Sequence, residues 1–241
     1  MNKPLISVII PTKNEEAYLE NTLKQYYDIK KAYCIEIIIA DGDSNDNTLL
    51  IANKYADIIL LSTKKENIAI GRNRGAAAAS GEILFHTDAD VIIPNIDSFI
   101  NILIDSFCDS SVLALTTNLR VYPNKELITD KVAHFIFNFC IKYSILFGAF
   151  LSKGECQIVR KDSFDLIGGY NEKIIAGEDC DLFYRINKVG KIIFLNKLVV
   201  YHSPRRFRNL GYPKVLCTYI QEGLSLFFRK KSFSKEWSIE R

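Results

Sequence analysis

The sequence predicts an α/β domain with a mainly parallel central sheet and helices on both faces. Three observations carry that expectation. Short β-branched runs alternate with helical stretches through the first half of the chain. Those runs are apolar almost throughout, not at every second residue, as in strands buried on both faces. Polar clusters fall where the strands end, at the edge where open α/β sheets bind ligands.

The elements follow in chain order. "LISVII" (5–10) predicts the first strand and 16–28 a helix after it. "EIIIA" (36–40), "DIILL" (57–61) and "EILFH" (82–86) predict three more strands, with helices near 47–56 and 67–80 between them. Polar exits follow three of the four: "PTKNEE", "DGDSND" and "TDAD". Further on, "VLALTTNLRVY" (112–122) predicts a strand. "VAHFIFNFCIKYSILFGAFL" (132–151) is apolar enough to suggest a membrane span, but Asn138, Lys142 and Ser144 interrupt it. His134, Asn138 and Lys142 fall at i, i+4 spacing, a polar ridge on an amphipathic helix with a wide apolar face. That face suits either core packing or docking on a membrane or a lipid acceptor. "CQIV" and "KIIFL…LVVYHS" read as late strands flanking a helix in "GEDCDLFYRINKVG". The expected organisation is one domain over 1–203, in two halves (1–95 and 96–203), then a basic helical extension over 204–241.

Composition narrows the class. The 241 residues contain 24% charged and 12% aromatic residues, ordinary for a folded domain. The net charge of +3 is uneven. Residues 203–241 hold nine Lys/Arg against three Asp/Glu, and the remainder 22 against 25. A basic tail on a mildly acidic body suits a phosphate-bearing ligand, an anionic membrane surface or plain solvent. The six cysteines form no C-x-x-C and read as reduced, mostly buried thiols. With an apolar strand in place of a leader at the start, this reading points to a cytoplasmic protein, peripheral on the inner membrane face if it meets a membrane.

Chemistry is concentrated in a few acids. Asp88 and Asp90 follow a strand that reads as sheet interior, where two carboxylates repel unless a cation holds them. In an extended segment, residues two apart face the same way, so both could approach one Mg²⁺ or Mn²⁺ shared with phosphates. Glu178, Asp179 and Asp181 follow Gly177 at a helix start, where the exposed N–H groups favour carboxylates. Either they decorate that terminus or one is a general base. His202 ends a late strand and reads as a core residue or a further metal ligand.

Taken together, the chain resembles the family 2 glycosyltransferases of the GT-A fold. The likeness rests on an ordered set: "SVIIPTKNEE", "ADGDSNDNT", "IGRNRGAAAASGEILFHTDADV", "SKGECQIVRKDSFDLIGGYNE", "AGEDCDLFYR" and "VYHSPRRF". The resemblance implies a nucleotide-sugar donor, a divalent metal (Mg²⁺ or Mn²⁺) and inversion at the anomeric carbon. By position it places Pro11, Thr12, Asn14 and Glu15 along the nucleoside pocket. Asp41 would accept from the base, and Arg72 would stand near the nucleotide. Asp88 and Asp90 would serve ribose and metal, Asp90 as metal ligand with His202. Gly154 would lie beside the donor sugar, Asp179 would be the catalytic base, and Glu178 its neighbour. The partners implied are a nucleotide-sugar, a glycan or lipid-linked acceptor and an anionic membrane, with no nucleic acid.

Some positions depart from the pattern or stay open. Asp41-Gly42-Asp43-Ser44 stands where the family often has D-D-G-S, which leaves Asp43 and the base preference open. Asp46 reads as a turn or helix cap, His86 as a satisfied core histidine close enough to tune the acids, and Arg74 as facing solvent or contacting donor phosphate. Arg205, Arg206 and Arg208 read as diphosphate contacts or a solvated loop. The Q-x-x-R-W motif and spanning helices of processive synthases are missing, so one sugar per encounter is expected. A nucleotidyltransferase would want a glycine-rich loop after the first strand, and a non-catalytic nucleotide-sugar-binding partner would have lost acids; neither fits.

Overall fold

The computed structural model of the protein describes residues 5–62, 66–148 and 151–229. Its strands form one eight-stranded sheet among the described residues, in the order β3-β2-β1-β4-β7-β6-β8-β5. The predicted alternation is realised with small shifts of boundary. β1 (Ile6–Thr12) leads to α1 (Leu19–Tyr33), β2 (Ile35–Asp41), α2 (Thr48–Tyr55), β3 (Ile58–Leu61), α3 (Ile68–Ala78) and β4 (Ile83–His86). β1 pairs in parallel with both β2 and β4, and β2 with β3, which brings the ends of β1, β2 and β4 to one edge. These strands are buried on both faces, the reason their sequences are continuously apolar.

The second half departs from a simple parallel winding. A two-residue strand, β5 (Val91–Ile92), precedes α4 (Ile96–Ser106) and the long β6 (Val112–Val121). After α5 (Ile128–Leu146) come β7 (Gln157–Arg160), α6 (Lys161–Leu166), α7 (Glu178–Ile186), β8 (Lys191–His202), α8 (Arg205–Leu210) and α9 (Tyr212–Arg229). β7 runs antiparallel between β4 and β6, while β6 and β8 are parallel. β5 crosses to the far edge and pairs antiparallel with β8, Val91 opposite His202. The two late strands flank a helix as expected, as β7 and β8, and β8 carries a register shift opposite Thr117 and Asn118.

α5 begins earlier and ends earlier than the predicted 132–151, and residues 149–150 lie outside the described residues, as does 230–241 of the predicted basic extension. Its polar ridge faces inward: His134 is buried, and Asn138 exchanges hydrogen bonds of 3.0 Å with the backbone of Leu119. Its apolar residues face outward instead, with Phe135 71%, Leu146 69% and Phe139 51% exposed. No helix among the described residues is long and apolar enough to cross a membrane. The cysteines are free as expected, but not mostly buried. Cys156 is buried and Cys180 half-buried, whereas Cys34, Cys108, Cys140 and Cys217 sit on helix surfaces or turns in contact with solvent.

Candidate functional site

The exits of β1 and β2 are stitched together. Buried Asp41 accepts from the Thr12 hydroxyl at 2.9 Å, from the Ser44 hydroxyl at 2.6 Å and from the Ser44 N–H at 2.8 Å. Pro11, opposite Ala40 in the β1–β2 ladder, leads into Asn14, whose φ of 55° turns the chain. The Asn14 N–H donates to Ser44 and its Oδ1 accepts from the Asn45 N–H, both at 2.8 Å. Asp43 is itself left-handed, φ 69°, with its carboxylate in solvent. Asp46 accepts from the Thr48 N–H at 2.9 Å and so caps the start of α2.

Arg72 is the hub of the next layer. It projects from α3 with 1% of its surface exposed. Its Nη1 donates to Glu178 Oε1 at 2.7 Å, and its Nη2 to Asp88 Oδ1 at 2.9 Å and to the Gly154 carbonyl at 3.2 Å. One guanidinium thus joins the β4 exit, the 152–156 loop and the start of α7. Any Cβ at position 154 would run into that guanidinium, so the glycine is required by the protein's own packing. Gly177, with φ 84°, makes the left-handed turn into α7. Burial pushes the Glu178 carboxyl up and the negative charge of Asp179 adds to it, against the pull of Arg72.

Asp88 and Asp90 part company. The strand stops at His86 and residues 89–90 turn, so the two carboxylates do not share one face as an extended segment would require. Asp88 goes to Arg72, while Asp90 lies 3.4 Å from Arg205 Nε. Arg205 also forks onto Glu15, at 2.6 and 2.7 Å. Burial, eased by Arg205 and compounded by Asp88, Glu15 and Glu155, pushes the Asp90 carboxyl up to about 8. The Tyr122 hydroxyl donates to the Asp90 carbonyl at 2.5 Å. On the adjoining strand, His202 Nδ1 is 3.9 Å from Glu155 Oε1 and its Nε2 is 2.8 Å from Nε2 of His134.

Asp179 stands apart from both arginine clamps. Its Oδ1 accepts from the Cys180 N–H at 2.8 Å, and its own carbonyl accepts from Gln157 at 3.0 Å. Burial raises its pKa, opposed by the field of Arg72. Asp181 forms a helical ion pair with Arg185 at 2.7 Å. Lys153 lies in the field of Glu155 and Asp179, with its Nζ 4.7 Å from the Phe137 ring and 4.6 Å from the Tyr219 ring.

Among the described residues, no three His, Cys, Asp or Glu side chains stand as a ready ligand shell. Asp90 and His202 nevertheless have the chemistry for a divalent cation: a hard carboxylate crowded by like charges, and an imidazole on the strand paired with the residue after it.

Three expectations need correcting. Arg74 does not face solvent: it is half-buried, donates to the Asp41 carbonyl at 2.8 Å and pairs with Glu66 at 3.4 Å. His86 is a core histidine, packed on Phe164 and Tyr170, but not a satisfied one, since neither ring nitrogen has a hydrogen-bond partner. Arg205 and Arg208 do not form a solvated loop; they clamp Glu15 with Asp90, and Asp130, respectively, while Arg206 lies over the Tyr219 ring. Glu155, Tyr122 and the partnership of His134 with His202 escaped the sequence reading. Only the i, i+4 ridge hinted at His134.

Comparisons with known proteins agree with this geometry. A sequence model described as glycosyl transferase family 2 matches residues 7–168. A hyaluronan synthase of Pasteurella multocida is 25% identical over 88% of this chain and 22% of its own length. The succinoglycan biosynthesis protein ExoA of Rhizobium meliloti is 25% identical over 82% of this chain and 63% of its own. The chain thus spans less than two thirds of the length of either relative. Among solved structures, a mannosyltransferase of Pyrobaculum calidifontis in complex with GDP-Man and Mn²⁺ superposes with a TM-score of 0.73 at 17% identity, over 95% of this chain and 65% of that one. The glucosyl-3-phosphoglycerate synthase of Mycobacterium tuberculosis, with Mn²⁺ and UDP, superposes at 0.61 and 18% identity over 91% and 80%. The fold is therefore that of the GT-A glycosyltransferases. By the match over residues 7–168, the chain belongs to glycosyl transferase family 2.

Proposed function

We propose that the protein transfers a single sugar, with inversion, from a UDP-sugar to a hydroxyl of a glycan or lipid-linked acceptor. The observation that carries this reading is the gathering of Asp41, Asp88, Asp90 and Asp179 at one edge of the sheet, under two arginine clamps. Pro11, Thr12, Asn14, Glu15 and Asp41 hold the nucleoside, Asp41 through the face not taken by Thr12 and Ser44. Asp88 takes the ribose, Arg72 keeps Asp88 and Gly154 in place, and Gly154 presents bare backbone to the sugar. Asp90 and His202 hold Mg²⁺ or Mn²⁺, which when bound offsets the charge that grows on the leaving diphosphate. Arg205 is the other cation within reach of that diphosphate.

Asp179 removes the proton from the attacking hydroxyl. Its carboxylate is the one at the start of α7 with no arginine bonded to it, and burial moves its pKa toward the range where a base works near neutrality. Glu178, locked to Arg72, orients that helix start. In this reading residues 1–95 supply the nucleoside and ribose contacts and one metal ligand, while Gly154, Asp179 and His202 come from 96–203 and Arg205 from the extension that starts at 204.

The outward apolar face of α5 supports peripheral binding to an anionic membrane. A groove of about 390 Å³ beside it is lined by Arg120, Lys131 and Lys197. Failure to float with anionic vesicles at low salt would remove this part.

Thermal shift with a panel of nucleotide-sugars, each with Mn²⁺ and with EDTA, tests the donor reading. Metal-dependent stabilisation by one UDP-sugar is expected, and no response from any donor overturns it. With the donor known, Asp179→Asn should cut turnover by ~10²–10⁴-fold while donor affinity stays near wild type. An equal loss of donor affinity would remove Asp179 as base.

A further inference from the structure

His134 and His202 meet through their Nε2 atoms at 2.8 Å, both rings buried. In such a contact one nitrogen carries hydrogen and the other a lone pair. The far side of His134 decides which. Its Nδ1 is 2.9 Å from the backbone carbonyl of Asp130, one turn earlier in α5. A carbonyl oxygen only accepts, so Nδ1 of His134 bears the proton. A neutral imidazole has one N–H, which makes Nε2 of His134 the acceptor and Nε2 of His202 the donor. The lone pair of His202 is left on Nδ1, the nitrogen that lies 3.9 Å from Glu155 Oε1.

The surroundings hold this arrangement. The Phe207 ring meets His134 edge-on at 5.3 Å and His202 at 5.9 Å, so neither ring is free to turn. Asp130, whose carbonyl anchors the chain, is fixed by its own side chain: it is buried and accepts from Arg208 at 2.8 Å, from Tyr212 at 2.5 Å and from the Leu127 N–H at 2.7 Å.

We propose that His134 is a positioning residue, which selects the Nε2–H form of His202 and so presents Nδ1 of His202 to the divalent cation. The proposal rests on His202 as a metal ligand. Partners that fix the tautomer of a metal-bound imidazole commonly govern metal affinity by 10–100-fold.

The chain contains three histidines, so long-range ¹H–¹⁵N correlations of the labelled protein resolve each ring. Without metal, the wild type should show a bare Nδ1 and protonated Nε2 on His202, and the reverse on His134. The opposite form at His202 overturns the proposal alone. Calorimetry of Mn²⁺ binding in the presence of UDP supplies the second arm. His134→Phe should weaken Mn²⁺ by about tenfold or more and leave UDP binding without metal unchanged. His134→Gln, whose side-chain carbonyl can accept from His202, should recover most of the loss. If His134→Phe keeps both the His202 tautomer and the Mn²⁺ affinity, the proposal fails. His202→Ala with unchanged Mn²⁺ affinity removes the ligand reading, and the proposal with it, even where the wild-type spectrum shows the expected tautomer.

Discussion

Arg72 and Arg205 each neutralise two carboxylates, but from opposite kinds of ground. Arg72 rises from the middle of α3, is 1% exposed and bonds Asp88, Glu178 and a backbone carbonyl. Arg205 opens the six-residue α8, keeps 23% of its side chain in solvent, and bonds Glu15 and Asp90. A guanidinium walled in on every side has no alternative partner, so its acids stay paired with or without substrate. One at the rim can exchange a carboxylate for a phosphate at small cost. The difference separates scaffold from moving part within a single acid-rich site.

The comparison can be broken at its strong end first. Arg72→Ala should cost about 3–5 kcal/mol of folding stability, because it strands the buried Glu178 and the half-buried Asp88; urea unfolding measures it, and a loss below about 1 kcal/mol would make Arg72 no keystone. Arg205→Gln should cost less of the same stability, since 23% of the Arg205 side chain is in solvent and the glutamine amide can still donate to Glu15. It should instead weaken UDP by about tenfold, the worth of one charge-assisted hydrogen bond, and a large stability loss with unchanged UDP affinity would reverse the roles. The smallest effect concerns a third clamp, Arg208 on Asp130. Burial works to raise the Asp130 pKa, but hydrogen bonds from Arg208, Tyr212 and the Leu127 N–H hold it well below the usual carboxylate range. A depressed folded-state pKa gives stability that is present above the unfolded value near 3.9 and lost as pH falls below it. Thermal midpoints should therefore drop between about pH 4 and pH 2 more steeply in the wild type than in Asp130→Asn.

The clamps also mark what could be read from the chain itself. β1, β2 and β4 were legible because strands buried on both faces leave an unbroken apolar signature, and their polar exits fell together once the strands were parallel. Asp41, Asp88 and Asp90 stood at those exits, whereas Glu178 and Asp179 were singled out by the helix start after Gly177. The partners were not. Arg205 and Glu15 are 190 residues apart, and nothing local in either segment announces the fork between them. Arg74 looked like a surface residue because its acceptor is a backbone carbonyl, which no side-chain pattern encodes. α5 misled most. Hydrophobic periodicity gives the stripe but not the direction it faces, and here the polar stripe turns inward because His134 and Asn138 have partners on β8 and β6. The turn at residues 89–90 likewise sent Asp88 and Asp90 to different arginines, where simple alternation put them on one face.

The short strand β5 carries one more consequence. It places Val91 opposite His202, on a rung that joins residues separated by nearly half the chain. Asp90 precedes that rung directly, and His202 is on it. A ribosome must therefore release the chain well past residue 202 before the two can meet, and every shorter nascent chain has the donor-side acids without their imidazole. On the proposed reading, competence to hold a cation arrives in one late step, when β8 takes its place between β6 and β5.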